Sequence, residues 1–216
     1  MPVAIFAAFT EETEAALEIL RDASLFQWYT VTFLVLCFYV YSVEVERRNW
    51  DAILAGLAFW LMDWINEIVN SVILHATDHS ALWTVTGNTS YLIFVGLTIE
   101  ISMMFLIMGV MFVKMLPDKD VRIAGIPNRW VMVTGYACLA VFIEELLVQT
   151  GWFHWEYWFW NQWNPILIVL FGYATFFAMA AWVYDMESRS RQLKVVGTLA
   201  GIVLVLLVGF GSAGWL

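Results

Sequence analysis

The sequence predicts an all-α fold: a polytopic membrane bundle of about six transmembrane helices, preceded by an N-terminal amphipathic helix. Of 216 residues, 62% are hydrophobic and 13% are charged, whereas about 25% of the residues of soluble domains are charged. The apolar residues form long continuous runs rather than the alternation typical of membrane β-barrels. Because a helix of about 20 residues satisfies its own backbone across ~30 Å of hydrocarbon, these runs predict membrane-crossing helices.

Six apolar runs are long enough to cross a bilayer, and together they define a single transmembrane domain over residues 25–216. The runs cover residues 25–43, 51–74, 91–115, 130–149, 165–184 and 194–215. The N-terminal segment 1–24 forms a separate unit. There, Ala16, Leu17 and Leu20 fall on one helical face and acidic residues on the other, which predicts a helix lying along the membrane surface. A solvated helical tail is the alternative.

The distribution of basic residues predicts the orientation of the bundle. Nine of the ten lysines and arginines fall in the loops that follow spans one, three and five, and only Arg21 lies on the opposite side. Basic loops stay in the cytoplasm, so both termini are predicted on the non-cytoplasmic side. The net charge of −9 argues against nucleic acid as a partner. The lipid bilayer is the predicted surrounding.

Carboxyl groups within the spans are the most informative residues. Asp63, Asn66, Glu67 and Asn70 fall within a stripe of ~100° on span two, and span three carries Glu100. On span four, Glu145 shares a face with Thr134, Cys138 and Gln149, which favours Glu145 over Glu144 for the interior. At 1.5 Å per residue, Asp63, Glu67, Glu100 and Glu145 are predicted to converge in the outer half of the bilayer.

Each acid costs roughly 2.5–3.5 kcal/mol at the centre of a membrane helix, so these groups must face each other, a cavity or a bound ion. Three interpretations remain open. The acids belong to an interhelical hydrogen-bond network; or they perform acid–base chemistry, because crowded carboxyl groups in a low dielectric retain a proton; or they bind a metal with His75, His79 or His154. The sequence predicts no cofactor and no metal ligand outright, although a metal held by Asp, Glu and His stays open.

The segment "GWFHWEYWFWNQW" at 151–163 places many rings and His154 directly after span four. Such density is typical of an interfacial belt of tryptophan and tyrosine. A lid over the acids is the alternative, in which ring faces stabilise a positively charged intermediate. The predicted pocket residues are Trp60, Trp64, Asn66, Asn70, Gln149, Trp152, His154, Trp155 and Trp158.

Two segments carry a resemblance to known families. The run "EELLVQTGWFHWEYWFWNQWNP", followed by "ILIVLFGYATFFAMAAWVYD", resembles a block of bacterial integral-membrane carotenoid hydratases, although those proteins have more glycine and less tryptophan in the loop. The segment "WINEIVNSVI" is similar to the tryptophan–glutamate helix of small integral-membrane terpene cyclases, but here Ile65 and Asn66 separate Trp64 from Glu67. The resemblance covers less than a quarter of the chain. It implies protonation of a polyprenoid, with Glu67 and Glu145 as the acids.

These observations predict an intramembrane enzyme that acts on a lipophilic, isoprenoid-like substrate by cyclisation, isomerisation or hydration. Glu67 or Glu145 would donate the proton, while Asp63 and Glu100 would complete the network. Three alternatives remain: a proton- or ion-coupled transporter or channel, a metal-dependent membrane enzyme, and an accessory subunit of a membrane complex. Gly197 and Gly201 in span six suit close helix packing, so a homo-oligomer is an open prediction.

Overall fold

The computed structural model describes residues 8–216, whose helices occupy the positions of the predicted spans. The helices are α1 (Glu11–Glu18), α2 (Tyr29–Glu46), α3 (Trp50–Thr77), α4 (Ile99–Lys114), α5 (Asn128–Val148), α6 (Ala174–Tyr184) and α7 (Arg189–Ser212). A π-helical segment, Ile168–Tyr173, leads directly into α6. Strands β1 (Trp83–Val85) and β4 (Phe153–Trp155) pair antiparallel, as do β2 (Arg122–Ile123) and β3 (Ile126–Pro127).

Helix α3 lies at the centre of the bundle and packs against α2, α4, α6 and α7. The Asn49 side chain accepts a hydrogen bond from the Ala52 amide at 3.4 Å and so caps the start of this helix. Two glycines allow α3 and α4 to approach closely, because a Cβ atom on Gly109 would lie 2.9 Å from the Gly56 Cα atom. A helix buried on most of its surface fits the apolar character of α3.

The outer helices expose large apolar side chains, as expected of helices that contact lipid. Examples are Phe38 on α2, Phe142 on α5 and Val205 on α7, all of which are exposed. Helices α2, α3, α5 and α7 are long and apolar enough to cross a membrane, while the helix over Ile168–Tyr184 is apolar but shorter, and α4 has 16 residues. The all-α prediction is confirmed, but the predicted number of six spans is not established by helix length.

The predicted span over 91–115 is wrong at its start. Residues 91–98 form a compact buried loop, in which the Ile93 amide donates to the Leu97 carbonyl at 2.7 Å and the Ile99 amide donates to the Tyr91 carbonyl at 2.9 Å. Helix α4 begins only after Thr98, whose side chain accepts from the Ile101 amide. The run is apolar because the loop is buried in protein, which hydropathy does not distinguish from a helix in lipid.

Ion pairs join the helix termini at one end of the bundle, called here the basic end. Glu44 on α2 pairs with Lys114 on α4, and Arg129 on α5 donates two hydrogen bonds of 2.7 Å to Asp185 after α6. Arg189 on α7 reaches Asp51 on α3 at 3.1 Å. The three basic loops therefore share one end of the bundle, as the orientation argument requires.

Helix α1 packs on the opposite end of the bundle. Its Ala16 is fully buried, Leu17 packs against the cluster of Leu74, Ala81 and Val95, and the helix contacts β1. The buried face of α1 therefore packs on α3 and on the chain around β1, while the position of this helix relative to a membrane surface stays a prediction. Residues 1–7 of the predicted segment 1–24 lie outside the described residues.

Candidate functional site

A pocket in the half of the bundle away from the basic end brings three carboxyl groups together. Asp63 and Glu67 come from α3 and Glu144 comes from α5. Only 2% of Asp63 and 3% of Glu67 is exposed. The pocket holds about 70 Å³ of space that admits water-sized molecules, within an open volume of about 730 Å³ that includes its mouth. Because one water requires roughly 10–15 Å³ of such space, the smaller volume has room for a few waters or a small chemical group.

Hydrogen bonding leaves these acids incompletely paired. Glu67 Oε1 accepts a hydrogen bond from Trp83 Nε1 at 3.1 Å, but Glu67 Oε2 and Asp63 Oδ2 have no hydrogen-bond partner. Glu144 interacts electrostatically with both of these acids and lies beside the Tyr173 hydroxyl. Among the described residues that line the pocket there is no Lys, Arg or His. The three acids therefore have no positively charged counterpart.

The position of Trp83 on β1 is fixed from several sides. Asn70, fully buried on α3, donates to the Trp83 carbonyl at 2.8 Å and accepts from the Leu82 amide at 2.7 Å. The Trp83 ring stacks on Trp160, with centroids 5.6 Å apart. Gly96 faces the indole so closely that a Cβ atom there would collide with Trp83. Helix α3, the loop 91–98 and the segment around Trp160 thus orient the indole N–H group that contacts Glu67.

The aromatic segment forms a lid over the acids together with β1. We use "the lid" for strands β1 and β4 and the segment 156–164. Phe153 and Trp160 line the pocket, and Thr84 Oγ1 donates to Glu156 Oε1 at 2.8 Å across the strand pair. Burial raises the pKa of Glu156, while the bond from Thr84 opposes this change. Trp158 and Trp163 are 80% and 87% exposed, so part of the segment covers the pocket and part fits an interfacial belt.

The π-helical segment before α6 forms a third wall. Ala174 donates to the Val169 carbonyl five residues earlier, which widens the helix and leaves backbone groups without their usual partners. Asn66 Nδ2 donates to the Phe171 carbonyl at 3.1 Å and so supplies a hydrogen bond from α3. Gly172 and Tyr173 line the pocket from this segment. Short π-helices are frequent at functional sites.

Phenylalanine rings close the pocket towards the basic end. Phe105 and Phe176 line the pocket, and both contact the ring of Phe59, at centroid distances of 5.9 Å and 5.7 Å. Phe177 packs against Phe59 at 4.8 Å and against Phe112 at 4.7 Å. Phe59, Phe112 and Phe177 are fully buried, so a continuous aromatic layer separates the acids from the basic end.

The pocket has a side opening between α4 and α5. Both helices contribute lining residues, yet they do not pack against each other along their length. They meet near the basic end, where Phe112 contacts Tyr136 at 5.2 Å. Above that contact, Ile143 and Leu147 are both exposed and part of the lining. The gap therefore leads from the acids to the outer surface of the bundle.

The prediction that Glu145 rather than Glu144 faces the interior is wrong. The buried face of α5 carries Val133, Ala137, Ala140 and Val141, and Glu144 continues it four residues after Ala140. Glu145 lies outside the pocket lining, on the side of the exposed Cys138 and Gln149. The sequence argument grouped polar residues on one face, whereas the small apolar residues mark the packed face.

Glu100 does not join the other acids, which contradicts the predicted cluster of four. It sits in the first turn of α4 and accepts hydrogen bonds from Tyr29 Oη (2.7 Å), Thr89 Oγ1 (2.7 Å) and the Ser90 amide (2.6 Å). Every one of these partners belongs to α2 or to the loop before α4. Its role in the structure is to hold that loop, because α4 starts eight residues later than predicted.

Of the nine predicted pocket residues, only Asn66 lines the pocket. Trp60 and Trp64 instead donate to Ser102 Oγ at 2.9 Å and 3.2 Å. Asn70 lies behind the lining and holds Trp83, which lines the pocket. Trp155 lies near Glu144 on the lid side, but its Nε1 atom has no hydrogen-bond partner. The others lie elsewhere: Gln149, Trp152 and Trp158 are exposed, and His154 Nε2 lies 3.1 Å from Thr86 Oγ1. These placements follow from the helix phase and from the strand pairing, which hides alternate lid residues.

Sequence reasoning missed Glu144, Trp83, Phe153, Trp160 and Tyr173. The alanine stripe of α5 was a usable signal for Glu144. Trp83 had none, because its contact with Glu67 depends on a loop returning over the helix.

Among residues 8–216, no group of three or more His, Cys, Asp or Glu side chains could hold a metal ion; His75, for example, stacks on Trp215 at 6.0 Å. The donor geometry therefore gives no support to a metal centre.

Comparison with known proteins places the chain among membrane proteins. The model of an uncharacterized membrane protein family matches residues 10–212. An uncharacterized protein of Archaeoglobus fulgidus is 47% identical over 211 residues, which cover 96% of this chain and 99% of that protein. A second, short protein of the same organism is 42% identical over 53 residues, which cover 24% of this chain and 95% of its own length. No solved structure shows a significant match.

Proposed function

We propose, for a chain that belongs to this uncharacterized membrane protein family, that it is an intramembrane enzyme performing acid–base chemistry on a lipophilic, isoprenoid-like substrate. Cyclisation, isomerisation and hydration are the reactions that fit. One observation carries the proposal: Asp63, Glu67 and Glu144 share an apolar pocket without any cationic side chain. Carboxyl groups within a membrane helix carry a high free-energy cost, so they mark a functional site by default.

In this proposal helices α2 to α7 all cross the bilayer, α6 together with the π-helical segment before it, with the basic end in the cytoplasm and the termini on the opposite side. Exposed tryptophans at both ends support it, since tryptophan favours the membrane–water interface. At the lid end they are Trp28, Trp158 and Trp163, and at the basic end Trp50, Trp130 and Trp182. The 16 residues of α4 rise about 24 Å, and the buried loop 91–98 extends that path towards the lid.

The chemistry begins with proton transfer from a carboxylic acid to an alkene carbon. The acid O–H bond breaks and a C–H bond forms, which leaves a carbocation and a carboxylate. Loss of a proton from a neighbouring carbon, or addition of water followed by loss of its proton, returns one proton to the acids. The ring faces of Trp83, Trp160 and Tyr173 favour the cation, and general acid–base catalysis contributes about 10²–10⁴-fold to a rate.

The pairing of the acids supports distinct roles. Glu67 accepts the Trp83 N–H bond, which stabilises a carboxylate at that position, whereas Asp63 Oδ2 has no partner. We assign Asp63 and Glu67 as a pair that shares the transferable proton. Glu144, on the opposite wall beside Tyr173, takes the place predicted for Glu145. Because the groups interact, the proton belongs to the set rather than to one residue.

A proton- or ion-coupled transporter fits the structure less well. Its path would have to cross the layer of Phe59, Phe112 and Phe177, all fully buried. A proton-coupled transporter in sealed vesicles would change the pH of the vesicle interior, and a pH-sensitive dye would report that change. We expect no such signal.

The decisive experiment uses solvent deuterium. Purified protein in vesicles is incubated in D2O with a panel of polyprenoids, and products are analysed by mass spectrometry for a new C–D bond. We expect Glu144→Gln to lower deuterium incorporation about 10²-fold or more, because this acid lines the pocket. Glu145→Gln is the matched control, one residue away and outside the lining, and we expect it to stay within twofold of wild type.

Size-exclusion profiles and melting curves of both variants verify the fold. Equal activity of the two variants, or no deuterated product from any neutral polyprenoid, would overturn the proposal.

A further inference from the structure

The mouth of the pocket lies on the side of the bundle rather than at its end. Met104 and Met108 of α4 form one rim, and Ile143 and Leu147 of α5 form the other. Both rims are apolar and lie between the two levels of exposed tryptophans. The lid covers the end of the bundle with Phe153 and Trp160, so a molecule in the hydrocarbon phase has a shorter way to the acids than one in water.

The charge of the lining restricts what passes through this mouth. Three acids and no cation line the described pocket, so an anionic headgroup would meet only repulsion and would lose its hydration. Phosphate and diphosphate groups are bound in proteins by arginine, lysine, helix N-termini or metal ions, and the lining residues include no basic side chain. An uncharged chain has no such cost.

We propose that the gap between α4 and α5 is a lateral portal through which an uncharged, unsaturated hydrocarbon chain enters from the bilayer, and that diphosphate-bearing isoprenoids are excluded. The two methionines suit this role, because their flexible side chains adapt to ligands of different shape. The inference deepens the proposed function and rests on it for the fate of the chain at the acids. Binding itself is measurable without turnover.

A spin label at the rim tests the portal. In a Cys138→Ala background, which removes the exposed cysteine and leaves the buried Cys37, single cysteines replace Leu147 or Leu146. Both leucines are exposed, but only Leu147 lines the pocket. The labelled proteins are reconstituted in phosphatidylcholine vesicles, and electron paramagnetic resonance reports label mobility while squalene or farnesyl diphosphate is added.

Squalene should immobilise the label at 147 in a saturable manner and leave the label at 146 unchanged, while farnesyl diphosphate changes neither. An equal squalene effect at both positions, no effect at 147, or immobilisation by farnesyl diphosphate would overturn the portal. Deuterium incorporation separates the two proposals. Persistent turnover without immobilisation refutes the portal alone, and saturable immobilisation without any deuterated product refutes the acid–base chemistry alone.

Discussion

Buried acids at the two ends of the bundle are treated in opposite ways. At the basic end, Glu44 is 1% exposed, pairs with Lys114 and accepts a hydrogen bond of 2.7 Å from Asn49 Nδ2. In the pocket, Asp63 and Glu67 are equally buried, yet each leaves one carboxyl oxygen without a partner. A basic side chain thus pairs with the acid that holds helices together, whereas no basic side chain lines the pocket that the other acids face.

We propose that this difference separates acids that hold helices together from acids that take part in the proposed chemistry. A buried charge without a partner is costly, and replacing it with a neutral side chain should relieve that cost. A fully paired acid has the reverse property, because its removal leaves a buried or half-buried partner unsatisfied. Stability and activity should therefore respond in opposite directions to substitutions at the two ends.

The largest expected effect is on turnover, in Asp63→Asn and Glu67→Gln. Each removes one carboxyl group from the pair, so deuterium incorporation into a neutral polyprenoid should fall about 10²–10⁴-fold. The thermal midpoint of the purified protein should stay the same or rise, because a desolvated acid is lost. A variant that melts at a lower temperature and keeps its turnover would assign these acids to structure.

Glu44→Gln should have the opposite outcome. It breaks the ion pair with Lys114 and weakens the bond from Asn49, which we expect to cost about 2 kcal/mol of unfolding free energy. Turnover at a temperature below the melting range should stay within twofold of wild type. Reversible unfolding in detergent measures the first quantity and the deuterium assay the second. Lost turnover in a fully folded variant would show that the two ends are coupled.

How far the sequence predicts this fold depends on whether a feature is local. The helical phase of span two correctly placed Asp63, Asn66 and Glu67 on one face, because helix geometry is regular over that length. Hydropathy located the helices but placed the start of α4 too early, since the buried loop 91–98 is as apolar as a span. A run that is buried in protein and one that is buried in lipid have the same composition.

The site was less predictable because its contacts link distant parts of the chain. The bond between Trp83 and Glu67 requires that β1 pair with β4, about 70 residues away. No periodicity in either segment encodes that pairing. Glu144 could have been found from Ala137 and Ala140, which lie seven and four residues before it on the packed face of α5, had small residues rather than polar ones been used to choose that face.

A smaller effect is expected where the lid is fixed against the acids, in Gly96→Ala. The added Cβ atom would collide with the Trp83 indole and lie 2.7 Å from Asn70 Nδ2. Overpacking of this kind costs about 1–3 kcal/mol, and displacement of Trp83 should lower turnover through Glu67. The combination Trp83→Phe with Gly96→Ala should recover part of the stability, because Phe lacks the N–H edge, but not the turnover.

Gly197→Ala is the control for this substitution. A Cβ atom at Gly197 meets nothing within 4 Å, and alanine is favoured over glycine in helices by about 1 kcal/mol, so the single chain should not be destabilised.

The same variant tests the predicted homo-oligomer at Gly197 and Gly201. Light scattering in detergent should then show a shift towards a smaller particle; an unchanged mass leaves the glycines without a role in assembly.

The smallest expected effect concerns Glu156, the acid of the lid, which lies outside the membrane-crossing helices. Burial raises its pKa, Glu12 acts in the same direction, and the Thr84 bond and His154 oppose the change. A carboxyl group whose pKa is higher in the folded state stabilises that state at low pH, and this contribution is lost as pH rises through the folded-state pKa.

Protection of lid amides in hydrogen exchange, such as the Glu156 amide bonded to the Leu82 carbonyl, should therefore fall with rising pH. In Glu156→Gln the dependence should disappear once intrinsic exchange rates are corrected, and a profile that stays as steep as that of the wild type would assign it to another group.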